Sequence, residues 1–329
     1  MSMPQLPVAG DLAAELWTLL NQAPPGRVTT YGQLARALGD VAASRWVGEQ
    51  LLHHEHTAEC ACHRVVRAGG ELGRFVTGEV ADKQSLLEAE GIEVRQGRVD
   101  VSRVFGDFKS SAPLRSLKEF QETVPSRLTQ RPSGRRIETV AGIDVAYVAP
   151  GEAVAACVLV DRDSLETVWS TTVRAEARFP YIPGYLAFRE LDVMLEVWKA
   201  AARSEHRVDL VLIDGNGILH PRRAGIGSCF GLLAGVPTIG IGKKLLCGQV
   251  DLEGMSERDE RPVVHNEELV GAALKCRADS RPIFVSPGDQ IDVAGAARLV
   301  RELFDGHRLP EPLHRADRLS KDEARRLKT

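Results

Sequence analysis

The chain has 329 residues, 43% of them hydrophobic, and a formal net charge of −3. That length suggests two domains with sizeable cores; no apolar run reaches the ~18 residues of a membrane span, and the N-terminus lacks the basic and apolar regions of a signal peptide. Six cysteines without a framework spacing fit a reducing compartment, so a cytoplasmic protein is expected, and the near-neutral balance confines any nucleic-acid binding to local patches.

Residues 1–105 read as short helices with little strand. Thr29 and Thr30 follow a Pro-Pro-Gly turn and suit the N-cap of a helix over Tyr31–Leu38, which Gly39-Asp40 closes. A second helix is expected from about Ala42 to Leu52. Two short helices across a tight glycine turn read as a helix-turn-helix. The run from His53 to His63 contains four more His and Cys residues besides Cys62 and His63. Such side chains suit Zn²⁺, yet they lack a C-x₂-C pair, and a polar, partly exposed loop is the simpler expectation. Residues 106–113 read as a linker, and 114–329 as a second domain.

The second domain has a different texture. Strands are expected at 139–147, 153–160 and 166–176, spaced as hairpins. A helix at about 187–202 follows, then a strand at 209–214, a Gly-rich helix near 224–234, strands at 236–241 and 282–285, and a helix at about 292–305. Hairpins followed by alternating strand and helix imply an α/β fold, with a mixed sheet covered by helices on both faces. The segment from Arg315 to Lys328 is basic and reads as a solvated final helix. Asp144 lies inside an apolar strand, Asp214 ends another, and Glu190 heads the first long helix. An acid in a buried strand is costly unless it is paired or holds a metal. Several such acids imply a hard divalent cation.

These segments closely resemble endonuclease V, an RNase H-like nuclease. The matching motifs are Ala141–Tyr147, Phe179–Leu191, Ile213–Gly225, Pro237–Lys243 and Leu309–Pro312. The resemblance implies nicking at the second phosphodiester 3′ to deoxyinosine and other deaminated bases in DNA, or action on inosine in RNA. It implies Mg²⁺, with Mn²⁺ able to substitute, held by Asp144, Glu190 and Asp214. It makes Lys243 the cation near the scissile phosphate and Tyr181 the tip of a wedge that enters the duplex as the base flips out. His220 and Arg222 are expected to meet a phosphate, and Gly215–Gly217 to admit the extruded base. The chain departs from many members in having Asp289, not His, after Ser-Pro-Gly; Asp289 could be an outer metal ligand.

Residues 1–105 resemble the DNA-binding domain of O6-alkylguanine-DNA alkyltransferases, and the alkyltransferase-like proteins that lack the cysteine. The resemblance rests on Pro25–Ala35, Ala61-Cys-His-Arg-Val-Val66 and Leu86–Gly91. It makes Cys62 the alkyl acceptor, His63 its base through water, and Glu90 the residue that orients His63. Arg45 would fill the hole left by a flipped O6-alkylguanine, and Tyr31 would press on the flanking phosphate. The cysteine favours alkyl transfer. Ala61 in place of the usual proline, and Phe75 near a usual tyrosine, favour a module that only binds the lesion.

Overall fold

The computed structural model describes residues 6–328 apart from Ala58, Ser133 and Arg135. The chain divides into two compact units, one of Pro7–Glu119 with Pro180–Pro183, the other of Phe120–Phe179 with Gly184–Thr329.

The first unit contains α1 (Leu12–Leu20), β1 (Thr29–Thr30), α2 (Tyr31–Ala37), α3 (Ser44–Leu52), β2 (Val65–Val66), α4 (Val80–Ala89), and the small hairpin β3 (Val94–Arg95) and β4 (Arg98–Val99). Thr30 caps α2 by accepting from Gln33 N, as its position before an amphipathic run predicts. Gly39, at φ +113°, makes the turn between α2 and α3. A Cβ there would come within 2.7 Å of Arg115 N, so only glycine fits. The helix-turn-helix is therefore present. β1 and β2 pair in parallel, which fixes the chain that leads out of the Cys62 turn. The segment expected to link the domains is held by its own unit. Phe105 N donates to Val28 O, Lys109 N to Gln22 Oε1, and Ser110 Oγ to Glu15 Oε1. α5 (Pro113–Thr123) follows.

The second unit is built on one eight-stranded sheet. Its strands are β5 (Thr139–Ala149), β6 (Glu152–Asp161), β7 (Thr167–Glu176), β8 (Leu210–Asp214), β9 (Thr238–Gly242), β10 (Glu260–His265), β11 (Glu268–Leu274) and β12 (Ile283–Asp289), in the spatial order β10-β11-β12-β9-β8-β5-β6-β7. β5, β8 and β9 are parallel neighbours and the remaining pairs are antiparallel. The helices are α6 (Leu186–Arg203), α7 (Ile226–Ala234), α8 (Val293–Glu302) and α9 (Glu311–Arg326). The period of two along each strand sorts the side chains. Ala141, Ile143, Val211 and Ile213 join the core under α6 and α7. Val140, Leu210, Leu212 and Ile239 join the core under α8 and α9. This is the RNase H-like mixed sheet with helices on both faces.

Asp144 and Asp214 share the parity of the α9 face, so the sheet's own geometry aims both acids at that helix. Gly142 makes the approach of α9 possible, because a Cβ there would lie 2.3 Å from the Pro312 carbonyl group. The hairpin of β10 and β11 is not evident in the sequence. Only Val263 of β10 is buried, and β11 opens on the exposed Glu268 and Leu269, so the buried run is confined to Val270–Leu274, which is short and interrupted by Gly271.

Candidate functional sites

Asp144 lies in the middle of β5 and is only 3% exposed. Asp214 ends β8, and Asp317 projects from the second turn of α9. One carboxylate oxygen from each of the three lies within 4.8 Å of the others. Burial, followed by the hydrogen bond and charge of Asp214, holds the Asp144 carboxyl well above the usual carboxylate range. Ser320, one turn along α9 from Asp317, donates to Asp144 Oδ2 at 2.5 Å. Lys243 follows the last residue of β9 and bridges the other two acids, with Nζ 2.5 Å from Asp214 Oδ2 and 3.0 Å from Asp317 Oδ1. Burial works against the lysine's charge, but these carboxylates outweigh it and raise its pKa. For Asp317, burial raises the pKa, and Lys321 and Lys243 more than offset it.

Glu190 stands beside this cluster, not in it. Its Oε1 accepts from the Tyr147 hydroxyl at 2.6 Å, and Arg189 donates to that hydroxyl at 2.7 Å while lying 4.3 Å over the ring. Burial lifts the Glu190 pKa to about 7; the Tyr147 bond opposes this and the charge of Asp214 adds to it. The three clustered acids floor a cleft of about 390 Å³ whose rim includes Lys321, Arg325 and Lys328. Acid below and base above suit a divalent cation on the floor and a phosphate at the mouth. The donor set, all carboxylate oxygen, fits Mg²⁺ or Mn²⁺.

Other expectations are corrected here. His220 is 3% exposed, too deep to meet a phosphate. Its Nε2 lies 3.1 Å from Gly184 O, and its Nδ1 accepts from Arg222 N. Arg222 and Gln121 also donate to Gly184 O, at 3.1 and 2.9 Å. Three donors thus pin one carbonyl at the end of the loop that carries Tyr181. The glycines at 215–217 serve internal packing as well, since a Cβ on Gly217 would lie 2.0 Å from Pro287 O. Asp289 is 6% exposed and accepts from Thr129 N at 2.7 Å, a structural cap away from the acid cluster.

His220 gives a pH signature. Burial, then the Arg222 charge, depresses its pKa to about 4. A histidine with a depressed folded pKa gives its full stabilisation above about 6.5, its unfolded value, and loses it as the pH falls toward the folded pKa. The midpoint of thermal unfolding of the wild type, measured without divalent ions, should therefore drop more between pH 7 and 5 than that of His220→Gln. Equal drops would separate His220 from the acid sensitivity.

In the first unit, Cys62 sits in a 3₁₀ turn, Ala61–Arg64, and is 3% exposed. His63 Nε2 lies 2.8 Å from Glu90 Oε1, and its Nδ1 lies 3.2 Å from Cys60 O. Glu90, the C-cap of α4, also accepts from Arg64 and from Gly26 N. Burial raises the Glu90 pKa, but Arg64, His63 and Gly26 outweigh it and bring it to about 2. The Cys62 sulfur lies 3.5 Å from His56 Nδ1. The hydrogen bond with Cys60, and then burial, push the Cys62 thiol pKa up. Arg45 on α3 is exposed and pairs loosely with Glu49. Tyr31, at the start of α2, faces Gly48 of α3.

A family model for endonuclease V matches residues 119–318. The chain belongs to the endonuclease V family. A second family model, described as 6-O-methylguanine DNA methyltransferase, DNA binding domain, matches residues 11–92. A curated protein of Picrophilus torridus, named bifunctional methyltransferase/endonuclease, is 35% identical over 90% of this chain and 92% of its own length. An endonuclease V of Azotobacter vinelandii is 38% identical over 67% of this chain and 98% of its own. The crystal structure of an endonuclease V from Streptomyces avermitilis superimposes with a TM-score of 0.59 at 32% identity, covering 64% of this chain and 93% of that one. The chain is thus a DNA repair nuclease that carries an alkyltransferase-type DNA-binding module. No helix among its described residues is long and apolar enough to cross a membrane.

The endonuclease V motifs draw attention to Asp144, Glu190, Asp214 and Lys243, and miss Asp317. Its one sequence signal is the spacing of Asp317, Ser320 and Lys321, which share a helix face inside a segment that otherwise reads as basic and solvated.

Proposed function

We propose that the second unit nicks DNA at the second phosphodiester 3′ to deoxyinosine and other deaminated bases, using Mg²⁺. The observation that carries this is the convergence of Asp144, Asp214 and Asp317 on one cleft with Lys243 between them. Those three acids would hold the metal, with Glu190 adjoining. When bound, such an ion activates a water and stabilises the leaving oxygen. The chain's own groups do the rest. Ser320 fixes the Asp144 carboxylate, and Tyr147 with Arg189 fixes Glu190. Lys243, held by Asp214 and Asp317, offers a preorganised positive charge where the scissile phosphate develops negative charge. Lys321, Arg325 and Lys328 give the incoming backbone a basic rim. Purified chain stripped with EDTA should be inert on inosine-containing duplex and regain nicking with Mg²⁺. Full activity in EDTA would remove the metal from the reading.

Tyr181 is 57% exposed, beside two prolines that stiffen its loop, and is the proposed wedge. Unstacking a base costs a few kcal/mol only in a duplex. Tyr181→Ala should therefore lower nicking of duplex inosine roughly tenfold more than nicking of single-stranded inosine. Equal losses would mean that Tyr181 acts on the base itself.

The first unit is proposed to bind O6-alkylguanine in DNA through Arg45 and Tyr31 and to accept the alkyl group on Cys62. The His63–Glu90 pair beside that cysteine supports this reading: Glu90 fixes the orientation of the imidazole.

A further inference from the structure

The loop from α3 to the Cys62 turn holds a constellation that neither the nuclease nor the His63–Glu90 pair uses. His54, His56, Cys60 and Cys62 each contribute one ligand atom to a group in which all four atoms lie within 4.8 Å of one another. Each imidazole already faces a thiol. His54 Nε2 is 3.2 Å from Cys60 Sγ, and His56 Nδ1 is 3.5 Å from Cys62 Sγ. In a tetrahedral zinc site, with Zn–N of ~2.0–2.1 Å and Zn–S of ~2.3 Å, nitrogen and sulfur sit about 3.6 Å apart. These two separations lie within a few tenths of an ångström of that value.

The surroundings fit as well. The Trp17 ring lies 4.9 Å from the His54 ring, and the Phe75 ring 5.4 Å from the His56 ring. These aromatics form an apolar wall that would limit solvent access to a bound ion. His54 Nδ1 is buried without a hydrogen-bond partner among the described residues, so the contact of Nε2 with Cys60 leaves the ring's other nitrogen unsatisfied. Two thiolates would cancel the charge of a divalent ion, leaving a neutral, half-buried site. Sulfur with imidazole nitrogen selects zinc over the hard cations that suit the carboxylate cleft. All four ligands come from nine consecutive residues, so closing the loop on a metal costs little chain entropy.

We propose that His54, His56, Cys60 and Cys62 form a zinc site in which Cys62 is a metal-bound thiolate. Coordination releases the two thiol protons to solvent and keeps both sulfurs as ligands. Zinc then pins the loop and withdraws Cys62 from alkylating agents, whereas the zinc-free protein leaves it available. The inference is independent of the nuclease reading and of Cys62 being an alkyl acceptor, because its readout is metal binding itself.

Metal-stripped full-length protein titrated with Co²⁺ should develop an intense near-ultraviolet thiolate-to-cobalt band, which Zn²⁺ then bleaches. Cys60→Ser and the double variant His54→Ala/His56→Ala should lose that band, while Asp144→Asn should keep it. A measurement on the wild type alone guards against misfolded variants. Peptide mapping after brief iodoacetamide treatment should show Cys60 and Cys62 modified at least about tenfold more slowly with Zn²⁺ than without, with Cys247 and Cys276 unchanged. Absence of the thiolate band, or equal modification of Cys60 and Cys62 in the two states, would overturn the proposal.

Discussion

Asp144→Asn should abolish nicking of inosine-containing DNA, a loss of at least about 10³-fold, or several kcal/mol of transition-state stabilisation. Asp144 is the most buried of the clustered acids, and it sits where β5 and α9 are held together by the glycine contact at Gly142. Asparagine keeps the shape and the acceptor for Ser320 but removes the charge a cation needs. Since burial already disfavours that charge, the variant should fold at least as stably as the metal-free wild type. Lesion binding, measured by electrophoretic mobility shift, should be largely retained. Asp317→Asn should show a similar loss, which distinguishes the three-acid cluster from a site of Asp144, Glu190 and Asp214 alone. Wild-type nicking by Asp317→Asn would take α9 out of the chemistry.

Cys62→Ala should eliminate alkyl transfer while leaving inosine nicking unchanged. The reaction needs no metal and is run in EDTA with DNA carrying O6-methylguanine. The Cys62 sulfur attacks the methyl carbon, the bond from that carbon to O6 breaks, and the thiol proton passes through His63 to the guanine that departs. The product is a thioether, which no group in this chain reverses, so the wild type should accept one methyl per molecule and then stop. Intact-mass measurement counts the methyl, and peptide mapping locates it. Methyl on Cys60 in place of Cys62 would reassign the nucleophile. Tight lesion binding with no methyl on either cysteine would reduce the module to recognition alone.

Much of the nuclease unit is legible from its sequence because the signals are local. Asp144 and Asp214 stand out as charges in apolar strands, and the period of two assigns them to one face of the sheet. What escapes is tertiary. Asp317 belongs to a helix whose composition reads as solvated, and only the approach of α9 over Gly142 brings it to the cleft. His220 looks like a phosphate contact because charge next to a Gly-rich loop is ambiguous until burial is known; it is buried against Gly184 O. In the first unit, His63 and Glu90 pair across 27 residues, as the family motif implies. The convergence of His54 and His56 on Cys60 and Cys62 depends on how an irregular loop folds back, and no periodicity encodes that.

The central claim is a lesion-directed, metal-dependent nick, and cleavage mapping tests it most directly. A duplex with one deoxyinosine, labelled at the 5′ end of the lesion strand, is incubated with the full chain and Mg²⁺, and the product is sized against a ladder. The expected result is a single nick in that strand at the second phosphodiester 3′ to the inosine, with an undamaged duplex left intact. Cleavage of both duplexes alike, or cuts placed without regard to the inosine, would contradict the account.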